Sequence, residues 1–190
     1  MQIIEASKSD APFIARMVMM AMTDECCLNL SGPDCTLDDF ARVMRRLTAA
    51  EGTQYSYRNA LLAVDDDQKP MGAVVSYDGG QLRQLRKAFI AAARDELHID
   101  HSHMPDEATA GEWYIDSLAV EPQYRRRGVA RSLLQATAQR GMDLGLAPTL
   151  LVDKGNPQAE RLYRSVGFEF FADDMWGGHA MHRLRMPMPR

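Results

Sequence analysis

Trp113-Tyr-Ile-Asp-Ser-Leu-Ala-Val-Glu-Pro-Gln-Tyr-Arg-Arg-Arg-Gly-Val-Ala130 is the stretch on which the reading of this chain turns. Trp113–Val120 has the composition of a strand, and Pro122 closes it. From Arg127 to about Leu144, Val129, Leu133, Leu134 and Ala138 recur at helical spacing. A strand therefore runs through an arginine- and glycine-containing turn directly into a helix. The first N–H groups of a helix lack intrahelical partners and carry partial positive charge, so such an end favours phosphate or pyrophosphate. Gly128 permits positive φ and close approach of the backbone. Ala130 is small for the same reason, and Arg125, Arg126 and Arg127 add charge-assisted donors. The stretch also reads as a solvated basic turn. The P-loop pattern G-x-x-x-x-G-K-[ST] and the dinucleotide pattern G-x-G-x-x-G are both absent.

Downstream, Thr149–Val152 is a short strand. Asn156 is a cap with Pro157 at the first helical position, and Ala159, Leu162, Tyr163 and Val166 follow before a terminating Gly167. Phe168–Phe171 and Ala180–Met186 read as a last strand pair turned at Trp176-Gly177-Gly178. Upstream, Gln2–Glu5 is a strand. A helix enters at Pro12 and carries Phe13, Ile14, Met17, Val18 and Ala21 on one face; a break follows at Ser31–Asp34. Thr36–Asp39 resembles a capping box and opens a helix with Leu37, Phe40, Ala41, Met44 and Leu47 inward. Ala60–Val64 and Gly72–Tyr77 form a hairpin around Asp65–Asp67 and Pro70. Gln81–Leu97 is helical, with Leu82, Leu85, Phe89 and Ala92 on one face and Arg83, Arg86 and Lys87 on the other. His98–Ala110 is a polar loop.

The order β-α-α-β-β-(α)-β-α-β-α-β-β contains a central βαβ crossover, which makes parallel neighbours. The hairpins on either side imply antiparallel pairing. The expected fold is α/β, a mixed and largely antiparallel sheet with helices on both faces. A length of 190 residues suits one domain, 1–190. With 46% hydrophobic and 25% charged residues, disorder, collagen-like repeats and disulfide scaffolds are excluded. No apolar run reaches the roughly 18 residues of a membrane span, so no membrane partner is expected. The start shows no secretory signal, and Cys26, Cys27 and Cys35 read as reduced thiols in a cytoplasm. A net charge of −4 argues against a nucleic-acid partner, though the arginine triplet keeps that reading in view. The 13 methionines read as core filler.

Arg125-Arg126-Arg127-Gly128-Val129-Ala130 resembles the [RQ]-x-x-G-x-[GA] signature of the GNAT superfamily of N-acetyltransferases. Ile115–Tyr124 resembles that family's fourth strand and following turn. Asn156-Pro-Gln-Ala-Glu-Arg-Leu-Tyr-Arg-Ser-Val-Gly-Phe168 resembles its N-x-x-A-x-x-L-Y-x-x-x-G-F block. The detailed likeness runs from Trp113 to Phe168; the amino-terminal half follows in element order alone. The resemblance implies an acetyl-CoA-dependent N-acetyltransferase acting on a small-molecule or peptide amine in a ternary complex. Arg125, Arg126, Arg127, Gly128, Val129 and Ala130 would cradle the pyrophosphate. Leu118, Ala119 and Val120 would meet the pantetheine arm, and Asn156 would help hold the cofactor. Tyr163 would protonate the departing thiolate. Homodimers are common among such domains. The alternative on the same fold is a non-catalytic acyl-CoA-binding sensor or interaction module.

An amine nucleophile is protonated at neutral pH and needs a proton acceptor. Strand alternation puts Glu112, Tyr114, Asp116, Leu118 and Val120 on one face, so Glu112 and Asp116 are the candidate bases unless a bulge breaks the parity. Both also read as structural carboxylates, Tyr163 as an amphipathic core tyrosine and Asn156 as a plain cap. His98, His101 and His103 match no standard metal spacing, and no metal is expected. Segment 78–111 exceeds the tight hairpin usual between the third and fourth strands of the family. Its stretch Gln81–Ile99 is expected to cover part of the acceptor groove. Cys26 and Cys27, near the end of the first helix, read as buried or incidental thiols.

Overall fold

The computed structural model describes residues 1–188. Strand β1 (Gln2–Glu5) leads to helix α1 (Ala11–Met22), with Pro12 in its first turn. Thr23 then leaves helical conformation at φ 73, and its side chain accepts a hydrogen bond from the Cys26 N–H, starting a separate helix α2 (Asp24–Ser31). Cys26 and Cys27 thus belong to this second helix and not to the first. Helix α3 (Leu37–Ala49) opens on the expected Thr36–Asp39 capping box. Strands β2 (Ala60–Val64) and β3 (Pro70–Asp78) form the hairpin, followed by α4 (Leu82–Glu96). The remainder is β4 (Glu112–Val120), α5 (Val129–Asp143), β5 (Ala147–Asp153), α6 (Pro157–Val166), β6 (Glu169–Trp176) and β7 (His179–Arg185). Helix α5 starts two residues after the predicted Arg127, because Arg126 and Gly128 adopt left-handed conformations, φ 63 and 82.

The sheet runs β1-β2-β3-β4-β5-β7-β6. Every neighbouring pair is antiparallel except β4 and β5, the two ends of the α5 crossover. This is the mixed, largely antiparallel sheet expected from the element order. Alternation along β2 divides the core between two faces. Leu62 and Val64 join Ile14, Phe40, Leu47 and Phe89 of the α1–α4 side. Leu61 and Ala63 join Leu133, Leu134, Phe168 and Leu184 of the α5–α6 side.

Three local expectations are corrected. Arg86 is not on a solvated helix face: it is 3% exposed and ion-paired with Glu107, itself 4% exposed. A buried guanidinium is tolerable because that carboxylate neutralises its charge and its Nη1 donates to the Pro105 carbonyl at 3.0 Å. Trp176 belongs to β6, so Gly177 and Gly178 alone make the last turn. The parity of β4 breaks at a bulge. Val75 faces Ser117 and Ser76 faces Ile115, leaving Asp116 as the extra residue. Leu118 and Val120 therefore join Trp113 and Ile115 in the α5-side core and do not share a face with Tyr114 and Asp116.

Helix α5 lies so close to β4 that a Cβ added at Gly141 would meet Trp113 Cβ and Cγ at 2.5 Å. Glycine to alanine inside a helix ordinarily stabilises by about 0.5–1 kcal/mol. Here Gly141→Ala is expected to destabilise by about 1–3 kcal/mol through overpacking. Urea unfolding checks this, and a variant as stable as the parent contradicts the close approach.

Candidate active site

Strands β4 and β5 pair only at Glu112–Ala147, Trp113–Pro148 and Tyr114–Thr149, although β4 continues to Val120 and β5 to Asp153. Beyond Tyr114 the strands part, and a cavity of about 520 Å³ opens between them. Its walls are Asp116–Val120 of β4, Leu151–Asp153 of β5, and Ala159 and Tyr163 of α6. Met20–Thr23, Cys26 and Trp176 bound it further. Leu118, Ala119, Val120, Arg125, Ala130 and Asn156 all line it.

One end of the cavity meets the start of α5. The first helical bond is from the Ser132 N–H to the Gly128 carbonyl, 3.0 Å, so the N–H groups of Val129, Ala130 and Arg131 have no acceptor within the helix. A Cβ built on Gly128 would meet nothing within 4 Å, which leaves open space before these amides. Val129 turns its side chain into the core, 2% exposed, and offers only backbone. Arg125 Nε donates to the Val120 carbonyl at 3.2 Å, and the Arg127 guanidinium lies over the Tyr124 ring at 5.7 Å. Arg126 is exposed, and its side chain makes no hydrogen bond or ion pair among the described residues. This combination of free amides, open space and arginines fits a pyrophosphate. Asn156 Oδ1 accepts from the Ala159 N–H at 3.1 Å, so its capping and lining roles coexist.

The other end holds Asp116. Its Oδ2 accepts from Gln54 Nε2 at 2.8 Å and Tyr77 Oη at 2.9 Å, and its Oδ1 accepts from Ser117 Oγ at 2.7 Å. A carboxylate offers about four lone-pair sites, so one site, on Oδ1, is left. Burial raises the Asp116 pKa, against the lowering pull of these hydrogen bonds and of Arg86. Glu112, level with Asp116 in the sequence, is not in the cavity wall. It pairs with Arg183 at 3.4 Å and accepts from the Thr109 N–H at 2.9 Å. Tyr163 packs edge-on against Phe168, ring centroids 6.3 Å apart, and burial pushes its hydroxyl up to about 12.

Four residues around Asp116 are not read as part of the site from sequence: Gln54, Tyr77, Arg86, placed there on a solvated helix face, and Glu107, weighed only as a neighbour of the loop histidines. Arg86 leaves the clearer trace. It falls four residues after Leu82 and three before Phe89, on the apolar stripe of α4. Helix α4 itself contributes no side chain to the cavity, and from segment 78–111 only Glu107 reaches the wall. The helix thus stands outside the cavity wall. Cys26 lines the cavity, but burial and the Asp116 charge raise its pKa; burial raises that of Cys27 to about 12, so neither suits a nucleophile. His101 is spent on the Leu30 carbonyl at 2.8 Å and on stacking with Phe89. No group of three or more His, Cys, Asp or Glu placed to hold a metal occurs among the described residues.

A profile of the Acetyltransferase (GNAT) family matches residues 37–168. A mycothiol acetyltransferase of Thermobifida fusca is 34% identical over 84 residues, covering 44% of this chain and 25% of that protein. One from Nocardiopsis dassonvillei is 32% identical over 97 residues, covering 46% and 29%. The match thus spans less than a third of the length of these relatives. A solved N-acetyltransferase from Staphylococcus aureus Mu50 superposes with TM-score 0.80 at 24% identity, over 98% of this chain and 100% of that one.

Proposed function

The chain belongs to the Acetyltransferase (GNAT) family, and on that premise we propose that it is an acyltransferase carrying an acetyl group from acetyl-CoA directly to a primary amine. The observation that carries this reading is a single cavity with free helix-start amides at one end and a buried carboxylate with one open lone pair at the other. Bound there, acetyl-CoA supplies an activated acyl group on a thiol leaving group. The amides of Val129–Arg131, with the arginines, hold its pyrophosphate. The backbone of Leu118–Val120, which has no ladder partner on its β5 side, holds the pantetheine arm and polarises the carbonyl to be attacked.

The acceptor arrives as an ammonium, with a reference pKa near 10.4. Asp116 Oδ1 takes one proton from it and later passes that proton to solvent. A carboxyl whose pKa is raised by burial is the better base for this task. Tyr163 keeps its hydroxyl proton across the neutral range and gives it to the departing thiolate. The second proton leaving the nitrogen restores Tyr163 through solvent, so one proton is released per turnover. Glu112 is left in a structural role, bound to Arg183.

The reading of 1–190 as one domain is supported by the sheet, which takes strands from Gln2 through Arg185. Three thiols without a disulfide are in keeping with a cytoplasmic setting. The test is thiol release from acetyl-CoA with pooled primary amines (polyamines, aminoglycosides, amino acids, peptides), read by mass spectrometry. Acetylated product is expected. Acetyl-CoA binding without product from any amine would instead favour the non-catalytic module.

A further inference from the structure

Behind Asp116 lies a buried polar cluster that the proton transfers above do not use. Gln54, 4% exposed, stands in the loop between α3 and β2. Its N–H donates to the Leu85 carbonyl at 3.2 Å, and its carbonyl accepts from Asn59 Nδ2 at 3.1 Å, so its backbone is held from both sides. Its Nε2 lies 2.8 Å from Asp116 Oδ2 and 3.0 Å from Glu107 Oε1. Tyr77 Oη also lies 3.0 Å from Nε2; an amide nitrogen has two hydrogens, and the two carboxylates are the stronger acceptors for them. Turning the amide over would set its oxygen against two anionic oxygens, so the orientation is electrostatically determined. Tyr77 Oη has one hydrogen. It lies 2.9 Å from Asp116 Oδ2 and 3.4 Å from Glu107 Oε1, and the shorter contact is the better bond. Glu107 in turn is ion-paired with the buried Arg86 of α4.

We propose that Gln54 and Tyr77 are positioning residues for the base, anchored by the Arg86–Glu107 pair: together they occupy Asp116 Oδ2 and leave Oδ1 as the proton-accepting atom. This rests on reading Asp116 as the base. It also gives segment 78–111 a purpose other than covering the acceptor, since α4 supplies Arg86 and the following loop supplies Glu107. The charged and titratable groups around Asp116 come from every neighbouring element. Arg86 faces it from α4, Glu107 from the loop after it, Tyr77 from β3 and Tyr114 from β4. Tyr55 and Cys26 complete the surround from the α3–β2 loop and α2. Arg86 is the only cation among these, and the donors from Gln54, Ser117 and Tyr77 lower a pKa that burial raises.

The test uses the full chain and the variants Tyr77→Phe, which removes one hydroxyl, and Gln54→Met, which keeps the side-chain length without its donors. The carboxyl carbon of Asp116 is titrated by ¹³C NMR, its resonance identified by its loss in Asp116→Asn. Each variant is expected to raise the Asp116 pKa by about 0.5–1 pH unit, the scale of one lost hydrogen bond. The acidic limb of kcat/KM, measured with acetyl-CoA and the amine selected above, moves up with it. A merely structural role would lower the plateau without moving the limb. Should Gln54→Met fail to fold, Tyr77→Phe decides alone. An Asp116 pKa unchanged in the folded variants overturns the proposal. An Asp116→Asn enzyme that still transfers acetyl at the parent rate overturns instead the reading of Asp116 as base.

Discussion

Asp116→Asn is expected to lower kcat/KM for acetyl transfer by about 100-fold or more, the usual contribution of a positioned general base, without loosening the fold. The amide fits the cluster. Its oxygen takes the place of Oδ2 and accepts from Gln54 and Tyr77, while its nitrogen takes the place of Oδ1 and donates to Ser117 Oγ. The one lone pair available for the substrate proton becomes an N–H, so the lesion is confined to chemistry. Stability moves the other way. Burial raises the Asp116 pKa above its unfolded value, so the folded chain binds this proton more tightly than the unfolded chain. The associated stability is full below the unfolded pKa and is lost as pH rises through the folded one. An uncharged amide avoids that loss, so at neutral pH the variant should unfold at a urea concentration no lower than the parent. Steady-state kinetics beside urea melts check both halves. A variant that is inactive because it is unfolded would contradict this account as surely as an active one.

Tyr163→Phe is expected to lower kcat by about 10- to 100-fold, at or below the lower range for a general acid, and to leave acetyl-CoA affinity within about twofold. No hydrogen bond of the Tyr163 hydroxyl is found among the described residues, so its removal strands no partner. The edge-on contact with Phe168 survives in the phenylalanine ring. A hydroxyl pKa pushed to about 12 also means that the parent shows no alkaline fall in rate from this group near neutral pH. Single-turnover kinetics and calorimetry with acetyl-CoA separate the two quantities. Equal turnover in the variant would remove Tyr163 from the mechanism.

The turn into α5 was legible because it rests on local chemistry: a strand that ends at a proline, a glycine that accepts positive φ, and a helix whose period starts next to it. Asn156, Pro157 and Gly167 marked α6 for the same reason. Asp116 was legible as a candidate and not as a choice. What separates it from Glu112 is a bulge in β4 and an arginine from β7, and neither leaves a mark in the alternation of β4 itself. Gln54 and Glu107 were hidden more deeply. Both sit in irregular segments with no period, and they acquire meaning only when α4 packs against α3 and brings Arg86 against Glu107. The break at Thr23 was hidden because its flanks, Met17–Met22 and Cys26–Cys27, carry helix-compatible residues on either side.

Three residue pairs stitch β4 to β5, and the seven-stranded sheet is therefore two plates joined by a short weld, with α5 strapped across it. Extending that weld by a few more ladder bonds would make a stiffer sheet and would erase the gap proposed above to receive the substrates. The strand seam with the fewest paired residues is thus the one that selection for rigidity has least freedom to improve. A molecule lying in the gap bridges both plates and supplies in trans the cohesion that the backbone withholds, so occupancy and mechanical integrity rise and fall together.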